Sequence, residues 1–201
     1  MGTQHIALLG DSVFDNKVYV APAPPVIEHL KKLIPTPWKA TLCAVDGHTT
    51  VDIRGQIPKV PADASHLFVS VGGNDALRYL NLLSDLTKPG PILLRELSKA
   101  AQAFRANYAA AVAQVHGLSK PTWLCTIYNG NLGPELAEAA ACAVAVFNDA
   151  IYSVAHERHL PVIELRNVCN QPSDYANPIE PSSNGGQKIA RAISELATGP
   201  A

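Results

Sequence analysis

Five short apolar runs punctuate the chain: "HIALLG" from His5, "KATLCAV" from Lys39, "HLFVSVG" from His66, "TWLCTIY" from Thr122 and "LPVIEL" from Leu160. Each is rich in β-branched or other apolar residues and too short to span a membrane, so each reads as a buried strand. Between them the apolar positions switch to helical spacing, in "PVIEHLKKLI", "TVDIRGQI", a pair of helices from Asn74 to Gly117, "GPELAEAAACAVAVFNDAIYSVAHERH" and "GGQKIARAISELA". Leu93, Leu97, Ala100, Phe104 and Tyr108, at steps of three or four, share one helix face. Strands that alternate with helices and are apolar nearly throughout predict a parallel sheet covered on both faces. The expected architecture is one three-layer α/β/α domain over residues 1–201, with a five-stranded sheet ordered 2-1-3-4-5.

In such sheets ligands bind beyond the carboxyl ends of the strands. The loops expected there read "GDSVFDN", "VDGHTT", "VGGND", "IYNGN" and "RNVCNQPSDYANPIEPS", all rich in Gly, Asn, Asp or Ser. Loops favour these residues in any case, but five such loops converging on one edge also make a site. Acyl transfer needs a nucleophile, donors for a developing oxyanion and a base. Ser12 after the first strand can be the nucleophile. Gly47 after the second offers an unobstructed backbone N–H, and Asn74 after the third offers a side-chain amide. Asp11 reads as fixing the turn. Asn16 and Asp75, which follow the nucleophile and oxyanion blocks, are candidates for holding the site's hydrogen-bond network and touching substrate, or for stabilising the loops. Tyr19, Tyr128, Asn129, Asn131 and Tyr175 lie on loops of the same edge as candidates for lining a substrate groove.

Composition narrows the partners. A chain of 201 residues, 47% hydrophobic and 16% charged, can bury a full core, and a net charge of -1 without a basic run argues against nucleic-acid or anionic-membrane partners. No uninterrupted apolar run reaches the roughly 20 residues of a spanning helix. "MGTQHIALLG" lacks a basic segment followed by a long apolar one, so a cytoplasmic chain is expected. Cys43, Cys125, Cys142 and Cys169 are far apart with no CxxC pair and read as free thiols in a reducing compartment. The histidines are scattered, and His156 and His159 at the polar end of a helix read as solvated, so no metal site is expected.

"GDS" at 10–12, the glycine of "VDGHTT" at 47, "GGND" at 72–75 and a closing block before the last helix together resemble the SGNH/GDSL hydrolases. The resemblance runs from about residue 5 to 195 in the family's block order. It implies a flavodoxin-like sheet and hydrolysis of a small ester, thioester or O-acetyl substrate without a cofactor. It further implies Ser12 as nucleophile, with the N–H groups of Ser12 and Gly47 and the amide of Asn74 as the oxyanion hole. The closing block departs from the family's Asp-x-x-His. In "NPIEPSSNGGQKIA", Asn177 stands where the Asp belongs and Glu180 where the His belongs, and no histidine follows His159.

Two residues can replace the missing base. Glu180 is one. An ordinary Glu is about two pK units more acidic than His, or about 2.7 kcal/mol, which burial in a closed pocket can recover. Asn177 is then the residue available to hold that carboxylate. His48, beside the oxyanion glycine, is the other. Arg166 is expected to pair with Asp174 or Glu180; a pair with Glu180 would weaken it as a base. Three functions remain open: a Ser12–Glu180 hydrolase, a binding module that kept the crevice and lost the chemistry, and a nucleotide or flavin binder. The last is disfavoured because "GDSVFDN" lacks the run of donors that cradles a phosphate.

Overall fold

The computed structural model describes residues 4–84 and 87–199, so residues 85 and 86, inside the stretch expected to be helical, lie outside the description. Strand β1 is His5–Gly10, and Ile6 to Leu9 are fully buried, as a central parallel strand requires. Helices α1 (Lys17–Val20) and α2 (Val26–Leu33) lead to β2 (Lys39–Leu42). Helix α3 (Ile53–Gln56), between two 3-10 turns, precedes β3 (His66–Ser70). Then come α4 (Gly73–Leu77), α5 (Asn81–Ser84), α6 (Gly90–His116) and β4 (Thr122–Cys125). Helix α7 (Pro134–Glu157), β5 (Val162–Ile163), α8 (Leu165–Val168) and α9 (Ser183–Thr198) complete the order.

The sheet is parallel throughout with order β2-β1-β3-β4-β5, the order the sequence pattern implied. Side chains alternate across it. Ile6, Leu8 and Phe68 face α2 and α9, with Val26, Leu30, Ile189 and Ile193. Ala7, Leu9, Leu67 and Val69 face α6 and α7, with Phe104, Val112, Phe147 and Ile151. Two apolar layers therefore clamp the strands, and the carboxyl ends of β1, β3 and β4 open onto one rim.

Two details differ from the sequence reading. Among the described residues, the region from Asn74 to Gly117 holds three helices rather than two. Helix α7 is long and apolar enough by composition to cross a membrane. Its buried Phe147, Ile151 and Val154 pack in the core beside α6. The four cysteines are free as expected, with Cys43, Cys125 and Cys169 buried and Cys142 exposed.

Candidate active site

The turn after β1 is fixed from three directions. Gly10 has φ +138° and packs so closely on β3 that a Cβ would sit 1.8 Å from the Ser70 carbonyl oxygen, so only glycine fits. The Gln56 side chain clamps the same residue, accepting from Gly10 N at 2.8 Å and donating to Gly10 O at 2.7 Å. Asp11 then closes the loop: its N–H donates to Ser70 O, its Oδ1 accepts from Val13 N, and its carbonyl accepts from Phe14 N and Asp15 N. Ser12 is thereby held at the rim, 6% exposed, with little backbone freedom.

A cavity of about 110 Å³ opens at this point. Ser12, Asn74 and Glu180 all line it, so the structure brings together residues from after β1, after β3 and from the closing block. Tyr128, Asn129 and Asp11 share the lining. The loop after β2 takes part indirectly. Gly47 sits in its turn at φ +78°, outside the lining, and the next residue touches the site through its backbone, because Asn74 Nδ2 donates to His48 O at 2.9 Å. An amide carries two N–H donors, and that bond uses one.

Glu180 occupies an unusual environment for a carboxyl group. It is 6% exposed, and its Oε2 is buried without a hydrogen-bond partner. Burial pushes its pKa up from 4.5 to about 6; the Ser12 hydroxyl acts on it as a donor and pulls it down, and the charge of Asp46 raises it further. Ser12 and Glu180 thus face one another in the same cavity. Asp11 is raised further, to about 7, by burial first, against the Val13 N–H, and then by the charges of Glu180 and Asp75.

The remaining expected site residues are engaged elsewhere. Asn16 is fully buried; its Nδ2 donates to Pro181 O at 3.1 Å and its Oδ1 accepts from Val26 N at 3.0 Å. Asp75 accepts from the N–H and the hydroxyl of Thr50, at 3.0 and 2.6 Å. His48 turns its Nδ1 to Gln56 Nε2 at 2.9 Å and does not line the cavity. Asn177 holds the backbone of Glu180 rather than its carboxylate, its Oδ1 accepting from Ile179 N and Glu180 N at 3.0 and 2.9 Å. Tyr19 donates to Asp46 and Tyr175 to the Cys169 carbonyl, both outside the cavity. The expectation for Arg166 is corrected: it pairs with Glu164, Nη2 to Oε2 at 2.6 Å and Nε to Oε1 at 2.8 Å, while Asp174 pairs with Lys188. Adjacent carboxylate and guanidinium, two residues apart, win over any distant partner.

Sequence reasoning missed the clamp on the closing block. The Tyr128 hydroxyl donates to Ile179 O at 2.7 Å, Asn131 N to Pro178 O at 2.8 Å, and Asn16 to Pro181 O. These bonds fix the backbone on both sides of Glu180 from two distant loops. Gln56 was missed as well, although a lone amide between Ile53 and Ile57 on an apolar face is a readable signal of an internal polar contact.

The family model of the GDSL-like lipase/acylhydrolase family matches residues 8–187, and the chain belongs to that family. Similar solved structures include phospholipase A1 from Streptomyces albidoflavus NA297, at 14% identity and TM-score 0.72, covering 96% of this chain and 100% of that one. An extracellular lipase from Streptomyces rimosus follows at 16% identity and TM-score 0.69, with 96% and 100% covered. The inhibitor-bound M. smegmatis aryl esterase gives 10% identity and TM-score 0.69, with 98% and 99% covered. At these identities the likeness establishes the fold. No curated protein matches the chain.

Proposed function

We propose that the chain, as a member of this family, is a serine ester hydrolase in which Ser12 is the nucleophile and Glu180 the base. The observation that carries the reading is the buried Glu180 carboxyl facing Ser12, with one oxygen unpartnered and its pKa raised by burial to about 6. A base of that pKa is mostly ionised at neutral pH yet close enough to it to accept a proton. Ser12 Oγ attacks the acyl carbon while its proton passes to Glu180. The carbonyl oxygen becomes an oxyanion facing the N–H of Ser12 and the second N–H of the Asn74 amide. Collapse breaks the ester bond, and the departing alcohol takes the proton from Glu180. Water then attacks the acyl-serine, giving its proton to Glu180; the acid leaves and Ser12 regains its proton. His48 is the weaker choice of base, because its Nδ1 is held by Gln56.

Reaction with a fluorophosphonate probe tests this reading. The parent should label and Ser12→Ala should not, and Glu180→Gln should lose turnover while staying folded. A second reading, a binding module that retains only the crevice, draws on the missing histidine. A parent that neither labels nor turns over any ester would favour it.

A further inference from the structure

The cavity beside Ser12 has more than a catalytic rim. Polar members such as Ser12, Asn74, Asn129 and Glu180 come from the segments that follow the strands, whereas helices supply much of the apolar lining. Helix α7 contributes Ala140, Ala143, Val144 and Phe147, which stand at i, i+3, i+4 and i+7 and so form one stripe. Leu97 of α6 and Leu77 of α4 close the other walls. Phe147, 1% exposed, is anchored by ring contacts with Phe104 at 5.2 Å and Tyr79 at 6.1 Å, so that wall is rigid. The space exists because two alanines occupy the stripe where larger side chains would fill it.

We infer that this stripe is an acyl-chain pocket, so the substrate is an ester of an unbranched, medium-length apolar acid, with Ala143 and Leu97 setting chain length. The inference rests on the hydrolase reading above and adds the substrate class. Polarity decides which half of the ester enters. The leaving alcohol takes its proton from Glu180 and must lie on that side, and the carbonyl oxygen must face Asn74. The acyl chain is left to run into the apolar depth, past Ala76 and Leu77, which directly follow the Asn74 and Asp75 pair in the chain. A buried methylene favours binding about fourfold, so chain length should register strongly in kcat/KM.

The test measures kcat/KM for p-nitrophenyl acetate, butyrate, hexanoate and octanoate, and for acetates of short and long alcohols. The expected result is a rise of at least tenfold from acetate to hexanoate, with no comparable gain from longer alcohols. Ala143→Phe should cut the hexanoate-to-acetate ratio at least tenfold, and Leu97→Ala should move the optimum to longer chains. An unchanged ratio in a folded Ala143→Phe protein, or selectivity residing in the alcohol, would overturn the inference. Binding of 2-decanone, a neutral ketone that cannot be hydrolysed, to Ser12→Ala keeps the pocket testable apart from the chemistry. Calorimetry should show binding that weakens about tenfold on adding Ala143→Phe. Absent turnover with 2-decanone bound in this way would sink the hydrolase reading alone, and absent 2-decanone binding would sink the pocket.

Discussion

Replacing Glu180 by glutamine separates two consequences of one buried charge. Glutamine keeps the size and can accept a hydrogen bond, but it takes no proton, so turnover should vanish. Stability should move the other way. The carboxyl has a pKa of 4.5 in an open chain and about 6 in the folded protein, where it is 6% exposed. Below the lower value it is protonated in both states and carries no penalty. As pH rises past the upper value the folded state must ionise a buried group, and stability falls by about 2 kcal/mol. The penalty is thus absent in acid and complete at neutral pH and above. Urea unfolding of parent and Glu180→Gln at about pH 4 and about pH 8 checks this. The variant's advantage over the parent should be larger at the higher pH by about 2 kcal/mol; comparing the two pH values cancels whatever the new amide does at both. An advantage that does not change with pH, in a variant that still turns over, would refute the reasoning, because neither the buried charge nor the base would then be Glu180.

Other outcomes follow from the same geometry. The kcat/KM of the parent should fall about tenfold between about pH 7 and about pH 5, as expected for a required base with pKa about 6; a flat profile in that window would leave Glu180 without a role. Asn74→Ala should lower kcat by 10²–10³, roughly 2.7–4 kcal/mol in the barrier, and steady-state kinetics with an intact fold would read it. Gly10→Ala should be severely destabilising, lowering the thermal midpoint or preventing folding, since its Cβ would overlap the Ser70 carbonyl at 1.8 Å; a normal melting curve would contradict the packing. His48→Ala should leave the acidic limb of the pH profile where it is, because the ring bonds to Gln56 and does not line the cavity.

The apolar pattern carried the sheet well and its ends poorly. The unbroken apolar run in "HIALLG" matches β1 to the residue, because a central parallel strand is buried on both faces. "KATLCAV" and "TWLCTIY" overshoot by three residues each, ending at Leu42 and Cys125. Cys43, Ala44 and Tyr128 are buried although they lie beyond the ends of β2 and β4, and burial is all that apolarity reports. "LPVIEL" shrinks to Val162–Ile163, an edge strand with one neighbour. Ser12, Asn74 and Glu180 were legible because each sits in a short block tied to a strand end or helix start. The clamp of Asn16 on Pro181 was not, since it joins residues 165 apart in the chain. Asn177 was read as a partner of the Glu180 carboxylate, but its oxygen is two to three residues from free N–H groups and takes those first.

In the mechanism we propose, a glutamate at this position changes the charge balance of the step as well as the identity of the base. With a histidine base, proton transfer from serine creates an imidazolium and an oxyanion together, and an orienting carboxylate steadies the cation. With Glu180 the proton neutralises a charge already present, so the negative charge migrates from the carboxylate to the oxyanion. No new charge pair forms in an apolar cavity that would solvate it badly. An orienting acid is then unnecessary, which agrees with Asn177 serving the backbone of the closing block. Asp11 adds to the balance: burial first, and then the charge of Glu180, raises its pKa to about 7, so a second ionised carboxylate beside Glu180 is disfavoured. Glu180→His therefore does not restore the usual arrangement. The imidazole would have to become a buried cation with no carboxylate at 177 to steady it, and its turnover should stay below the parent's.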